Sequence, residues 1–203
     1  MHTSKTDLVI DQQAQLNDWA TDLPINATIA VAKKNINTIT TKFFHSFDEL
    51  LMDVASYANT ASDAHNIIEL RNFLHEQQAQ IQHEIEALFV WSLIPTNPQR
   101  TSALKELTIQ DMHLSLMVTK LRESHLQELQ SIEKLYPRLI PGANIHTENN
   151  PFDPLNIYGI AYSVFNTLNM DDNSKNLCLR EFHYVLKGHL RSFYRDVINT
   201  LFN

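Results

Sequence analysis

The amino-acid sequence predicts an all-α fold, a bundle of about six helices of which several are long and antiparallel. Only 3 of the 203 residues are glycine, which is too few for a sheet built from many tight hairpins. Apolar residues instead recur three and four positions apart along most of the chain, the period of an amphipathic helix. With 43 % hydrophobic residues, the chain suits one helical domain over residues 1–203, in which residues 1–40 could form a loosely packed N-terminal arm.

Three helices are predicted before residue 60. A helix over about residues 5–20 ends before Pro24, whose ring cannot continue it. Residues 25–39 contain many β-branched side chains, which lowers helix propensity. Their isoleucines nevertheless keep helical spacing, so a helix is favoured over a strand. Residues 43–57 place phenylalanine, leucine, valine and tyrosine on one helical face.

Two long helices are predicted in the middle of the chain. The first covers about residues 63–93, is capped by Ser62 or Asp63, and stops before Pro95. The second covers about residues 109–139 and carries a continuous apolar stripe. Helices of this length can bury such stripes against each other in a bundle.

The clearest local signal is a helix start at Asp153 and Pro154. Aspartate is a preferred N-cap residue, and proline is tolerated at the first helical position because its missing N–H has no intrahelical partner there. A short helix follows to about Leu168. A turn over residues 170–174 then leads into a last helix of about thirty residues with an apolar face.

Charge and cysteine content exclude several classes of protein. The formal net charge of −7 argues against a nucleic-acid-binding protein, which needs a basic surface. No apolar run approaches the ~18 residues of a membrane span, and the N-terminal region has no signal-peptide core. Cys178 is the single cysteine, so an intramolecular disulfide is impossible and a reducing, cytoplasmic location is expected.

The sequence contains no recognisable catalytic or metal-binding motif. His75 and His83 are separated by two helical turns, about 12 Å along the axis, which is too far to share an ion. The Glu-x-x-His and Gly-x-Ser-x-Gly patterns are absent, and Cys178 is expected to be a buried, inert thiol. We therefore expect no metal, no cofactor and no enzymatic activity.

Two groups of residues are candidates for binding. Apolar residues near helix ends form a candidate protein interface or homodimer contact; they are Phe89, Trp91, Phe193 and Phe202. Basic residues on the last helix form a candidate anion-binding surface; they are Arg180, Lys187, His189, Arg191 and Arg195. The same basic helix could instead pack against the acidic helix 63–93, and a closed monomeric bundle remains the alternative to a dimer.

Several short blocks occur in the same order as in one protein family. They are Phe47-Asp48-Glu49-Leu50-Leu51 with Ala55, Glu69-Leu70-Arg71, Leu114-Ser115-Leu116-Met117-Val118, Asn150-Pro151, and an apolar pattern at Phe182, Leu186, Leu190, Phe193, Tyr194 and Val197. Over about residues 43–203 the chain resembles the N-terminal part of a proteobacterial family of long helical proteins of unknown function, often mislabelled thymidine phosphorylases. Where relatives carry Asp-Arg-His after the aromatic that aligns with Phe182, this chain has His183-Tyr184-Val185. The resemblance implies a bacterial short form or leading domain, without a known catalytic residue.

Two functions follow from these patterns. The first is a non-enzymatic regulatory or scaffold protein that acts through protein–protein interaction on a bundle surface. The alternative is a sensor of a small, nucleotide-type ligand that uses the basic last helix. The sequence does not name the partner or the ligand.

Overall fold

The computed structural model describes residues 23–93, 112–139 and 150–202, and within these ranges it contains six helices and no strand. The helices are α1 (Leu23–Ser56), α2 (Ala61–Ser92), α3 (Met112–Glu123), α4 (Leu126–Leu139), α5 (Pro154–Thr167) and α6 (Asp172–Phe202). The predicted all-α bundle is confirmed. The predicted helix 5–20 lies outside the described residues.

Helix α1 is one continuous helix of 34 residues, so the prediction of separate helices over 25–39 and 43–57 is wrong. No glycine or proline interrupts the segment between them, and buried Thr40 donates its hydroxyl to the Asn37 carbonyl within the helix at 3.1 Å. Ala32 and Ile36 are fully buried in the core. Residues 25–40 are therefore part of the bundle rather than a loose arm.

Helices α1 and α2 form an antiparallel hairpin. Ion pairs join them near both ends, with Lys33 Nζ 2.7 Å from Glu86 and Arg71 Nε 2.6 Å from Asp48. The N-cap of α2 is Thr60, whose hydroxyl accepts a hydrogen bond from the Asp63 backbone N–H at 3.1 Å. The cap therefore precedes both predicted positions, Ser62 and Asp63, and the Thr60 hydroxyl and the Asp63 carboxylate bond to each other across the first turn.

The predicted helix over 109–139 is interrupted in its described part, where α3 ends and α4 begins. Two turn residues, Ser124 and His125, separate the helices. The His125 N–H donates to the Arg122 carbonyl three residues back, so the α-helical ladder is tightened at this point. Arg122 forms an ion pair with Asp153, and the His125 ring contacts Tyr194. These contacts with other elements redirect the chain without glycine or proline.

The core lies where α1, α2, α5 and α6 meet, and aromatic rings fill it. Phe43 contacts Phe165 and Phe182 at centroid distances of 5.4 and 5.9 Å. Phe152 contacts Phe89 and Phe193 near the other end of α6. The predicted start of α5 is confirmed, since Asp153 accepts a 2.8 Å hydrogen bond from the Leu155 N–H and Pro154 opens the helix. None of the described helices combines the length and apolar content that crossing a bilayer requires.

Candidate ligand-binding groove

Some of the basic residues of α6 line a groove on the protein surface, and others lie outside it. Arg180 and Lys187 line a groove between α3 and α6, whereas Arg191 and Arg195 are exposed on the same helix outside it. His189 is half-buried and donates its Nδ1–H to the Val185 carbonyl at 2.8 Å. The groove takes in two of the five predicted anion-binding residues, Arg180 and Lys187, and anion binding by the other three stays a prediction.

The α3–α6 groove has a volume of about 710 Å³, within the range of small-molecule sites. It exists because α4 packs closely against α6, whereas α3 packs mainly against α5 and contacts α6 only lightly. Leu121 is buried at the floor of the groove, and half-buried Leu50, Met117 and Leu177 extend this floor. The floor is therefore mostly aliphatic.

Exposed cations surround this apolar floor. Lys120 extends from α3, and Arg180 and Lys187 extend from α6. No ion pair engages these three side chains within the ranges that the structure describes. Among the described lining residues the acidic one is Glu181, which accepts a hydrogen bond from the Ser46 hydroxyl of α1. The rim consequently carries an excess of positive charge that an anion could neutralise.

His183 is the buried polar side chain of the groove. It is only 8 % exposed, and its Nδ1 atom has no hydrogen-bond partner among the described residues. Its ring meets the Tyr158 ring edge-on at a centroid distance of 6.4 Å. Burial, and secondarily the charge of Lys187, lowers the pKa of His183 below its usual value. A neutral imidazole has one donor and one acceptor nitrogen, and the Nδ1 atom of His183 is shielded from solvent in the structure.

The sequence alone does not identify Lys120 as part of the site, nor His183 as its buried polar group. Lys120 and Arg180 are sixty positions apart, and their meeting depends on where α3 lies. His183 stands next to Phe182 in the apolar pattern of α6. The signal that could have identified His183 is its position, because a histidine among buried helix positions needs a partner for its ring nitrogens.

The candidate interface residues separate into buried and accessible positions. Phe89 and Phe193 are fully buried in the aromatic core, so their predicted exposure at an interface is wrong. Their apolar helical spacing indicates burial, and here the burial is intramolecular. Trp91 is half-buried and Phe202 is 68 % exposed, so a contact through these two residues stays a prediction.

A second surface lies where α1 turns into α2. Tyr57 is 85 % exposed and Val54 is 40 % exposed, and both border a shallow depression of about 400 Å³ with Asp53, Asp63 and Ile67. We call these five residues the hairpin tip. An exposed aromatic side chain that shares a depression with two carboxylates offers apolar contact area beside negative charge, which suits a partner with apolar and basic groups.

Other chemistry is limited in the described part of the chain. No group of three or more His, Cys, Asp and Glu side chains there is arranged to hold a metal ion. Cys178 is fully buried, as predicted, and burial raises the pKa of its thiol to about 12. At neutral pH this thiol is protonated and a poor nucleophile.

Comparisons of the chain with family models, with curated proteins and with solved structures gave no match. The resemblance to the long helical family therefore remains a prediction that rests on short sequence blocks.

Proposed function

We propose that this protein is a regulatory binding protein that takes up an anionic small molecule in the α3–α6 groove. The observation that carries the proposal is the placement of Lys120, Arg180 and Lys187 around a largely apolar floor. The charges attract and orient the anionic group of the ligand, while the floor supplies most of the buried contact area.

A thermal-shift screen of the 203-residue chain tests this function. The panel contains AMP, ATP, citrate and long-chain carboxylates, which span the anionic classes. A ligand at 100 times its Kd adds about 2.7 kcal/mol, which corresponds to about 5–10 °C for a chain of this size.

A matched pair of variants locates the binding. The double variant Arg180→Gln/Lys187→Gln removes two charges from the groove, and Arg191→Gln/Arg195→Gln removes two charges from the same helix outside it. We expect the first variant to lose most of the ligand-induced shift and the second to keep it. Equal shifts in both variants, or no shift with any anion of the panel, would contradict the proposal.

The hairpin tip favours a second function, regulation by protein–protein interaction. Its occupant would be a basic amphipathic segment of a partner, because Asp53 and Asp63 line the same depression as the exposed Tyr57. A labelled Lys/Leu helical peptide serves as the probe in fluorescence anisotropy, and a scrambled peptide of equal charge is the control. Tyr57→Ser should weaken binding of the helical peptide only. Similar binding of both peptides would refute a specific contact.

A further inference from the structure

The hydrogen-bonding groups of the groove favour one of two classes of anion, nucleotides or amphiphiles with a single anionic head. A nucleotide buries a base and a ribose, whose polar atoms need partners when they leave water. The neutral polar side chains of the described lining are few: Ser124, whose hydroxyl already donates to the Leu121 carbonyl at 2.7 Å and can still accept, the buried His183 ring, and the exposed Tyr184 hydroxyl. The Glu181 carboxylate can accept further hydrogen bonds, but its charge opposes a phosphate. This lining offers few neutral partners for the base and ribose of a nucleotide.

The shape and lining of the groove match a long apolar body instead. Leu177 and Lys187 lie ten residues apart on α6, so the groove runs about 15 Å along this helix. Leu50 of α1 and Met117 of α3 widen the aliphatic floor from the other two helices. Leucine and methionine adapt to flexible chains because their side chains have several rotamers. The floor therefore favours an aliphatic chain, since the aromatic side chain of the described lining, Tyr184, is 71 % exposed and does not form part of this buried floor.

The rim matches a compact anionic head. Arg180 and Lys187 lie two helical turns apart, about 10 Å along the axis, and Lys120 contributes a charge from α3. The rim also lacks a glycine-rich loop of backbone N–H groups, the usual cradle for a polyphosphate, since the described rim residues all belong to helices or to the turn at Ser124. A carboxylate needs only one or two of these cations.

We infer that the α3–α6 groove binds a single-chain carboxylate amphiphile, with its aliphatic chain on the Leu50, Met117, Leu121 and Leu177 floor and its head among the rim cations. This inference rests on the proposed function and specifies its ligand class. Binding of such a ligand covers the exposed part of the floor and neutralises part of the rim charge. The His183 imidazole then lies within the ligand-covered part of the groove.

Isothermal titration of the full chain with dodecanoate, decanoate and octanoate tests the chain requirement. We expect affinity to fall about fourfold for each methylene removed, which corresponds to about 0.8 kcal/mol per CH₂. Dodecyltrimethylammonium, which has the same chain and a cationic head, should bind at least tenfold more weakly than dodecanoate. AMP should bind more weakly than dodecanoate.

Groove variants test the location. Lys120→Gln/Arg180→Gln should weaken dodecanoate binding about tenfold, which corresponds to about 1.4 kcal/mol. Met117→Asn should weaken dodecanoate more than octanoate. Arg191→Gln/Arg195→Gln is the matched control and should bind like the wild type. Circular dichroism of each variant verifies that the helices are retained.

The outcomes separate the inference from the proposed function. If AMP or ATP binds with the expected dependence on Arg180 and dodecanoate does not, the ligand class is wrong and the anion-binding function stands. If no anion binds, both are wrong. If dodecanoate binds but the groove variants bind it as tightly as the wild type does, the inference is also overturned. Co-sedimentation with phosphatidylglycerol vesicles, in the absence of binding to free dodecanoate, would assign the groove to a lipid surface and overturn it as well.

Discussion

Two substitutions of Asp153 should distinguish how much its carboxylate stabilises the protein as the N-cap of α5 and how much as the ion-pair partner of Arg122. One oxygen accepts from the Leu155 N–H at 2.8 Å, and the other lies 2.8 Å from Arg122 Nε. The side chain is only 7 % exposed, while that of Arg122 is 28 % exposed. Burial raises the pKa of Asp153 above its ordinary value, although the Leu155 hydrogen bond and the Arg122 charge act to lower it. The ionised form therefore gains less from Leu155 and Arg122 than it loses through burial and, secondarily, through the nearby charge of Glu133.

These opposing effects on the pKa of Asp153 determine how much unfolding free energy each variant should lose. Asparagine keeps the cap and removes the charge, and Arg122 stays accessible to water, so Asp153→Asn should cost less than about 0.5 kcal/mol. Asp153→Ala removes the cap as well and should cost about 1–2 kcal/mol. With a urea m-value of about 2–3 kcal/mol/M, the alanine variant should unfold about 0.5 M earlier.

Urea unfolding followed by circular dichroism measures both variants, and its pH dependence provides a second test. The folded-state pKa of Asp153 lies above the unfolded-state value, so folding favours the protonated carboxyl. The stability that this provides is fully present below the unfolded-state pKa and is lost as pH rises through the folded-state pKa. The wild type should lose stability relative to Asp153→Asn as pH rises from about 4 through the folded-state pKa. An asparagine variant as unstable as the alanine variant would refute the reasoning, because the ion pair would then outweigh the cap. A pH trend of opposite sign would refute it too.

Three further predictions concern other parts of the bundle. The hydrogen bond from Arg71, more than the Arg71 charge, lowers the pKa of Asp48. The wild type should therefore lose stability relative to Asp48→Asn as pH falls below about 4. A difference in unfolding free energy between the two proteins that stays constant during acid titration would contradict this. Phe193→Ala should cost about 3–5 kcal/mol at every protein concentration, since the ring is buried within the chain, and a cost that depends on concentration would indicate an interface instead. Cys178 should not react with an aromatic disulfide reagent in the native state and should react once urea unfolds the chain; rapid native reaction would show that the thiol is accessible.

The helices were predictable from the sequence because apolar spacing and capping residues are local properties. The start of α5 at Asp153 and the extent of α2 follow from such signals. The break at Ser124 was not predictable, since it arises from contacts of Arg122 and His125 with residues distant in sequence. Helical spacing also predicts that Phe193 is buried. It does not tell whether the ring packs against its own chain or against a partner.

The candidate site was predictable only in part, for a related reason. The exposed basic residues Arg180 and Lys187 are visible in the sequence, but a groove needs a second wall. That wall is α3, and the position of α3 depends on how the chain turns before α4. Lys120 therefore becomes a candidate only when the tertiary structure is known.

The break between α3 and α4 also explains why the groove exists. On one side of the turn α4 packs closely against α6, and on the other side α3 contacts α6 only lightly, which leaves the groove between α3 and α6. The ion pair of Arg122 with Asp153 holds the end of α3 at the start of α5, while the His125–Tyr194 contact leads α4 onto α6. The ion pair is thus expected to position α3 more than to stabilise the fold.

This division of roles makes the double variant Arg122→Met/Asp153→Asn informative. The methionine keeps the apolar stem, the asparagine keeps the cap of α5, and no unpaired charge is left buried. The free energy of unfolding should therefore change by less than about 1 kcal/mol, because replacing both members of a buried pair by neutral groups is often close to neutral. The affinity of the groove for its anion should fall severalfold, since the wall that carries Lys120 is no longer anchored at its end. Titration and urea unfolding of the same preparation measure both quantities. Unchanged affinity would show that apolar packing against α5 alone places α3, and a large loss of stability would show that the pair contributes to folding rather than to the shape of the groove.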